Sequence, residues 1–179
     1  MLKGENVYLD TIEPNDLETL RKWRNLPHYR KFFREYQEIN SDMQRKWYES
    51  KVVNDNNTLM FAIRDNTTDE LLGCCGLCYI NWIHRNADLS LYIGKDEVYI
   101  DDEGIAEESL DLLWNYGFGE LGLVKIWTEL YEFDEKKLSL YQKMGMKIEG
   151  TLRKQYFYDG RWYDSKMLSL LNEEWKLEK

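Results

Sequence analysis

The sequence predicts an α/β fold in which one mixed sheet of about seven strands is flanked by about four helices. Three observations predict it: strand-like apolar runs lie at both ends of the chain, segments with helical spacing lie between them, and no repeat, low-complexity tract or linker interrupts the sequence. Strand-rich ends separated by helices are typical of a sheet with helices packed on its faces. Because 179 residues are the size of one ordinary domain, we expect a single domain over residues 1–179.

The strands are predicted from alternating patterns and from short continuous apolar runs. They cover residues 7–12, 58–64, 71–80, 87–93, 124–130, 148–157 and 162–171. The polar segment 65–69 predicts the loop of an antiparallel hairpin, and Asp159-Gly160 predicts the turn of the closing hairpin.

The helix starts are predicted from residues that can satisfy free backbone N–H groups. Asp16 suits the N-cap of the first helix. Ser41, followed by Gln44 three residues later, predicts a capping box for a second helix that ends near Asn54. The other two helices are predicted at residues 104–119 and 135–144.

The composition excludes some classes of partner. A net charge of −9 argues against a broad nucleic-acid surface, because phosphate binding needs clustered Lys and Arg. It suits a cationic small substrate, although net charge also serves solubility. No apolar run reaches the roughly 18 residues that cross a bilayer, and the first ten residues do not resemble a secretory signal. We expect a soluble, cytoplasmic protein with no membrane or nucleic-acid partner.

The cysteines and histidines predict neither a disulfide framework nor a metal site. Cys74, Cys75 and Cys78 lie within five residues on a predicted strand, which favours reduced core thiols. His28 and His84 show no metal-like spacing.

The pattern G-x-G-x-x-G occurs at residues 117–122. A dinucleotide fingerprint needs these glycines after a strand and before a helix. Here they follow a helical segment and precede a strand, so they predict a turn that ends the helix.

The junction between the strand at 87–93 and the helix that opens at Gly104 points to chemistry. A glycine-bearing loop at a helix start leaves several backbone N–H groups unpaired, and such groups can hold a phosphate or pyrophosphate. The same pattern also suits a plain tight connection, so the residues alone leave both interpretations open.

Short motifs in a fixed order along nearly the whole chain resemble the GNAT acetyltransferases, in particular the branch with ribosomal-protein N-terminal, spermidine and amino-sugar acetyltransferases. The motifs are Trp23-Arg24-Asn25, Leu72-Gly73, Arg85-Asn86-Ala87-Asp88, Gly104-Ile105-Ala106-Glu107-Glu108, Leu140-Tyr141-Gln142-Lys143-Met144-Gly145-Met146, Glu149-Gly150-Thr151-Leu152-Arg153, Gly160, Asp164 and Trp175. The resemblance implies a twisted, mostly antiparallel sheet and acetyl-CoA as co-substrate.

The resemblance also places the coenzyme, with its pantetheine arm along the central strand and its pyrophosphate on the loop amides at residues 101–106. The residues expected to contact it are Leu91, Tyr92, Ile93, Glu103, Gly104, Ile105, Ala106, Asp134 and Lys143. Two positions depart from the family pattern. Asp101-Asp102-Glu103 replaces a basic or glycine-rich lead-in, and Asp134 replaces a frequent Asn. Carboxylates that face the phosphates would weaken coenzyme binding.

Acetyl transfer to an amine needs a base for the amine proton and an acid for the departing thiolate. The resemblance implies Tyr141 as the acid, and a core tyrosine is the alternative. Asp88, which begins the central strand, is the expected base, and an exposed strand-end carboxylate is the alternative. Strand alternation puts Asp88 and Tyr92 on one face and the intervening leucines on the other, and only one of these faces is expected to be core.

The acceptor is expected between the first two helices and the closing hairpin. Trp23, Arg24, Trp47 and Tyr158 are the candidates there, since such side chains cradle a cation or a sugar ring, or else belong to the core. The resemblance implies an amine acceptor, namely a polyamine, an amino sugar or a protein N-terminus, and a homodimer is possible. The alternative function is a catalytically degenerate GNAT domain whose acidic loop weakens the CoA site.

Overall fold

The computed structural model describes residues 1–34 and 37–177, without the side chain of Leu177. The strands are β1 (Leu2–Lys3), β2 (Val7–Thr11), β3 (Leu59–Asp65), β4 (Leu71–Asn81), β5 (Asn86–Ile93), β6 (Lys125–Tyr131), β7 (Lys147–Tyr158) and β8 (Arg161–Leu171). The helices are α1 (Leu17–Asn25), α2 (Pro27–Arg30), α3 (Ser41–Trp47), α4 (Ile105–Trp114), α5 (Glu135–Lys143) and α6 (Asn172–Leu177). Short 3₁₀ or π turns occur at Pro14–Asp16, Tyr48–Val53, Lys95–Glu97 and Asn115–Glu120.

All eight strands form one sheet in the order β1-β2-β3-β4-β5-β6-β8-β7. Neighbouring strands are antiparallel except β5 and β6, which are parallel. The prediction of a mixed, mostly antiparallel sheet is therefore confirmed. The described residues contain one strand and two helices more than predicted, because β1, α2 and α6 are too short to show a periodic pattern. No helix in this part of the chain is long and apolar enough to span a membrane.

The sheet opens between its two parallel strands. Asn86, Ala87 and Asp88 of β5 pair with residues 125–127 of β6, and the pairing stops there. Beyond Asp88, β5 continues along β4 and β6 continues along β8. The two strands therefore diverge, and the gap between them begins at Asp88.

Both faces of β5 are buried, so the expectation of a single core face is wrong. Leu91 and Ile93 are at most 1% exposed on one face, and Asp88 and Tyr92 are at most 5% exposed on the other. Tyr92 contacts the rings of Tyr29 and Phe33, so segments from the first part of the chain cover its face. Helix α4 packs on the sheet at β2, β4 and β5. A central strand that helices cover on both faces carries mainly apolar residues on both.

One of the two predicted caps is wrong. Asp16 is the N-cap residue of α1 as predicted, but its carboxylate makes no capping hydrogen bond to α1: it accepts a hydrogen bond from the Glu13 backbone and pairs with Arg64 at 2.7 Å. The cap of α3 is Asn40, whose side chain accepts a hydrogen bond from the Met43 backbone. Asn40 and Ser41 are neighbours and both suit an N-cap, so the sequence alone did not separate them.

The predicted turns are confirmed. The glycines at residues 117–122 end the helical segment before β6, and Gly122 has a positive φ of 66°. Asp159 and Gly160 both have positive φ between the paired residues Tyr158 and Arg161, as a tight two-residue hairpin turn requires. The three cysteines are free thiols.

Candidate active site

The gap between β5 and β6 contains a cavity of about 220 Å³. Residues of both diverging strands line it, together with described residues from the first part of the chain, such as Phe32 and Gln44. Its charged and aromatic lining residues include Arg24, Phe33, Arg34, Trp47, Lys51, Asp88, Tyr92, Glu129, Tyr131, Asp134 and Lys137. Charged side chains are therefore concentrated at the point where β5 and β6 stop pairing.

Asp88 lies at the start of this gap and is only 5% exposed. One carboxylate oxygen, Oδ2, is 3.2 Å from a guanidinium nitrogen of Arg34. The other, Oδ1, is buried without a hydrogen-bond partner among the described residues. Burial raises the pKa of Asp88 to about 6, although the charge of Arg34 opposes the rise. The alternative of an exposed carboxylate is wrong, and Asp88 places a proton acceptor among the residues that line the cavity.

Tyr141, on α5, is 1% exposed. Burial raises the pKa of its phenol well above 10, and the negative charges of Asp134 and Asp88 add to this effect. The hydroxyl therefore keeps its proton at neutral pH. The described lining of the cavity does not include Tyr141, so its assignment as the acid stays a prediction.

Four charged cavity residues were missed by the sequence analysis: Arg34, Lys51, Glu129 and Lys137. Lys137 is 8% exposed, and burial lowers the pKa of its ammonium to about 8 although the charge of Asp134 raises it. Its position was open to prediction, because Lys137 and Tyr141 are four residues apart and lie on one face of α5. Arg34 and Glu129 gave no such signal: Arg34 lies outside the helices and strands, and Glu129 lines the cavity because β6 diverges from β5.

The N-terminus of α4 binds a carboxylate from its own loop. Asp101 accepts hydrogen bonds from the backbone N–H groups of Glu103 at 2.9 Å and of Ile105 and Ala106 at 2.8 Å each. Between them, Gly104 has a φ of 94°, and a Cβ there would meet no atom within 4 Å. Three amides converge on one anionic group beside open space, which is the donor set that holds a phosphate.

Two other acidic residues at the start of α4 form ion pairs. Glu103 lies 3.6 Å from Lys95, and Lys143 forms an ion pair with Glu107 in the first turn of α4. Asp102 is exposed. Of the three acidic residues Asp101, Asp102 and Glu103, only Asp101 accepts hydrogen bonds from the amides at the start of α4.

The edge of β5 that faces the gap is unpaired with β6 beyond Asp88 and is bridged by Tyr99 at Ile93. The Leu89 carbonyl accepts a hydrogen bond from Thr128, and the Ile93 carbonyl accepts one from Tyr29. Because backbone groups alternate along a strand, the N–H and C=O of Leu91 point to this same edge. A strand-like chain can therefore add at Leu91.

Asp134 is the N-cap of α5, and both of its carboxylate oxygens already accept hydrogen bonds. One oxygen accepts a hydrogen bond from the Lys137 backbone at 3.3 Å, and the other accepts one from the Tyr99 hydroxyl at 3.0 Å. Tyr99 was not predicted. Its backbone has a left-handed φ of 65°, its N–H donates a hydrogen bond to the Tyr29 hydroxyl, and its ring stacks on Phe32.

The four predicted acceptor residues divide into two groups. Arg24 and Trp47 line the cavity. The indole of Trp23 packs against Gly94, where a Cβ would lie 2.0 Å from the ring. Tyr158 stacks near Phe133 in the aromatic group of the closing hairpin. The structure therefore brings only the first two together with Asp88.

A sheet that opens between two parallel strands, a strand edge at the gap and an amide cluster at the next helix define a class of protein, the acyltransferases that use coenzyme A. The family model described as acetyltransferase (GNAT) domain matches residues 9–167 of the chain. The chain belongs to this family.

Relatives and solved structures agree with this assignment. A spermidine N(1)-acetyltransferase of Vibrio cholerae is 27% identical over 175 residues, which cover 96% of each chain. A spermidine N(1)-acetyltransferase of Escherichia coli strain K12 is 24% identical, covering 99% of this chain and 92% of the relative. The crystal structure of spermidine N-acetyltransferase from V. cholerae with CoA and spermine matches with a TM-score of 0.87 at 25% identity, covering 97% of this chain and 99% of that one.

The chain is thus an acetyl-CoA-dependent N-acetyltransferase that moves an acetyl group to an amine. The alternative of a catalytically degenerate domain is not supported. A cytoplasmic location and a homodimer stay predictions.

Proposed function

We propose that the acceptor is a small-molecule primary amine bound in the cavity, with Asp88 as the base and Tyr141 as the acid. The observation that supports this most directly is the buried carboxylate of Asp88, a residue of the cavity lining whose Oδ1 has no hydrogen-bond partner among the described residues. A buried polar atom left unpaired is costly, and such atoms in native proteins often serve catalysis.

In this mechanism, Asp88 first attracts the positively charged amine and then accepts its proton, so that the nitrogen becomes nucleophilic. Acetyl-CoA supplies the acetyl group as a thioester when it is bound. The Tyr141 hydroxyl holds the proton that the sulfur of CoA needs on leaving. A base with a pKa near 6 is mostly ionised at neutral pH, and a phenol with a raised pKa is protonated there.

The proposed coenzyme site combines the two features that fit it. Residues 91–93 would hold the pantetheine arm along the strand edge, where Ile93 would have to release Tyr29 and Tyr99. The N–H groups of Glu103, Ile105 and Ala106 would hold the pyrophosphate, and Asp101 would have to release them because it accepts hydrogen bonds from all three. Lys143 would have to leave Glu107 to reach a phosphate.

The experiment compares Asp88→Asn with Glu129→Gln. Both variants remove a carboxylate that lines the same cavity, but Glu129 already accepts a hydrogen bond of 2.6 Å from Ser165. CoA release is measured with spermidine, glucosamine and a short peptide as acceptors. We expect Asp88→Asn to lower kcat by about a hundredfold or more, and Glu129→Gln to lower it much less. Equal losses in the two variants would show that Asp88 has no special role.

Spermidine is the first acceptor to test, because the relatives are named for it. A peptide that is acetylated faster than every small amine would contradict the proposal. The same panel therefore tests the class of acceptor as well as the base.

A further inference from the structure

We propose that Lys137 is a catalytic residue, whose ammonium donates a hydrogen bond to the acetyl oxygen of the bound thioester while that oxygen carries negative charge. This inference rests on the proposed function, since it assigns a third role beside those of Asp88 and Tyr141. Acyl transfer depends strongly on donors placed where the oxygen becomes charged, and such donors are usually the largest single contribution to the rate.

The position of Lys137 on α5 places it next to the proposed acid. Lys137 and Tyr141 are four residues apart in α5, so they lie on one face of the helix, about one turn apart. Lys137 also lines the cavity that contains Asp88. The thioester has to lie between acid and base, because the amine at Asp88 attacks the carbon that is bonded to the sulfur at Tyr141.

A closed set of contacts holds the Lys137 side chain in place. Its ammonium nitrogen lies 4.7 Å from the ring centroid of Tyr99. The Tyr99 hydroxyl donates a hydrogen bond to Asp134 at 3.0 Å, and Asp134 in turn accepts one from the Lys137 backbone at 3.3 Å. An aromatic ring contacts one side of an ammonium, which has three N–H donors, so donors are left for a substrate oxygen.

The carboxylates of the cavity do not neutralise Lys137 by direct pairing. Both oxygens of Asp134 accept hydrogen bonds from other groups, and Asp88 pairs with Arg34. Within the part of the chain that the structure describes, the Lys137 ammonium therefore contacts an aromatic ring and forms no ion pair. Lys137 is 8% exposed, so water screens its charge weakly and the charge acts more strongly on a nearby oxygen than it would in solution.

The Lys137 ammonium can lose its charge within the pH range in which the enzyme can be assayed. Burial lowers its pKa to about 8, and the positive charges of Arg24 and Arg34 lower it further. The negative charges of Asp134 and Asp88 oppose this fall. Because the protonated form is the donor, the proposed role is present below about pH 8 and is lost as the pH rises through this value.

The step is balanced in atoms and electrons. Attack by the neutral amine nitrogen on the acetyl carbon forms the C–N bond, and the carbonyl electron pair moves to the oxygen, where Lys137 stabilises it. The amine proton goes to Asp88. When the carbonyl forms again, the C–S bond breaks and the departing sulfur takes the proton of the Tyr141 hydroxyl. Exchange with water restores Asp88 and Tyr141, and Lys137 keeps its protons throughout.

Equilibrium binding tests the donor without turnover. Carboxymethyl-CoA has a carboxylate where acetyl-CoA has the acetyl group, so it presents a negative oxygen to the site. Isothermal titration at neutral pH compares the two compounds in the wild type and in Lys137→Met. We expect Lys137→Met to weaken binding of carboxymethyl-CoA about tenfold or more and to change that of acetyl-CoA about twofold or less. Lys136→Met is the control and should affect the two compounds equally, because Lys136 is exposed and does not line the cavity.

The pH dependence of CoA release separates a catalytic role from a structural one. With the fastest acceptor of the panel at saturation, the ratio of kcat in the wild type to kcat in Lys137→Met should be about a hundred or more at neutral pH. This ratio should fall as the pH rises through about 8, because only the wild type has an ammonium to lose. Lys137→Arg stays charged, so its kcat should not fall near this pH.

Two results would overturn the inference: a ratio that does not change with pH, or an equal effect of Lys137→Met on the two CoA compounds. Circular dichroism checks the folding of each variant. If Lys137→Met does not fold, the ratio of the wild type to Lys137→Arg decides, since it too should fall through about pH 8.

These results are distinct from a failure of the proposed function. A constant ratio for Lys137, together with a pH profile that loses its fall at low pH in Asp88→Asn, would overturn this inference and leave the proposed base standing. A ratio that falls near pH 8, together with a low-pH fall that persists in Asp88→Asn, would support Lys137 and contradict the proposed base.

Discussion

At the scale of single residues, burial and an unpaired oxygen make Asp88 the group that sets the pH dependence. Protonated Asp88 cannot accept the amine proton, and its pKa is raised to about 6. We therefore expect kcat/KM for the acceptor to rise as the pH increases through about 6. The measurement is a profile between roughly pH 5 and pH 8 at saturating acetyl-CoA. In Asp88→Asn, the residual kcat/KM should no longer fall at low pH. If the fall near pH 6 persists, the titrating group is not Asp88.

The Tyr141 hydroxyl is predicted to act at the departing thiolate and not in binding. Tyr141→Phe should lower kcat by about ten- to a hundredfold or more while KM for acetyl-CoA changes little, since only a proton donor is removed. Tyr116→Phe serves as a matched control, because Tyr116 packs on Phe61 away from the cavity. Unchanged turnover in Tyr141→Phe would leave this residue as a core tyrosine.

At the scale of elements, we predict that Asp101 and the bound coenzyme compete for the backbone N–H groups at the start of α4. Asp101 and the coenzyme pyrophosphate would use the same three N–H groups, so Asp101→Asn should lower KM for acetyl-CoA several-fold, with kcat unchanged. Asp102→Asn removes the same charge from the same loop, but Asp102 is exposed and should have a smaller effect that salt abolishes. A higher KM in Asp101→Asn would show instead that the carboxylate is needed to shape the loop.

Most elements could be predicted because their signals are local. The period of the apolar residues located seven strands and four helices, and Asp159-Gly160 located the last hairpin turn. The position of Asp16 at the start of α1 was predicted, but its pairing with the distant Arg64 was not, and the cap of α3 was placed one residue late, at Ser41 instead of Asn40. The acidic loop was recognised, but its internal hydrogen bonds depend on the left-handed turn at Gly104 and were not visible in the sequence.

At the scale of the whole molecule, the site exists because β5 and β6 stop pairing after Asp88. That divergence depends on contacts of β5 with β4 and of β6 with β8, which no local pattern records. For this reason Asp88 and Tyr141 could be named from a resemblance to a family, while Arg34 and Glu129 could not be placed near them. The burial of both faces of β5 has the same origin, since helices from distant parts of the chain cover it.

The ion pair of Asp16 and Arg64 joins the start of α1 to β3, and its loss should destabilise the whole fold. Both carboxylate oxygens accept hydrogen bonds from one guanidinium nitrogen, at 2.7 and 2.8 Å, and the two side chains are 8% and 16% exposed. Removing one partner of a buried pair leaves an uncompensated charge, so Asp16→Ala should lower the free energy of unfolding by about 3 kcal/mol. Glu18→Ala breaks the exposed pair with Arg21 on the same helix and should change it by less than about 1 kcal/mol. Urea unfolding of the two variants checks this, and equal losses would mean that the buried pair adds no more to stability than a surface pair.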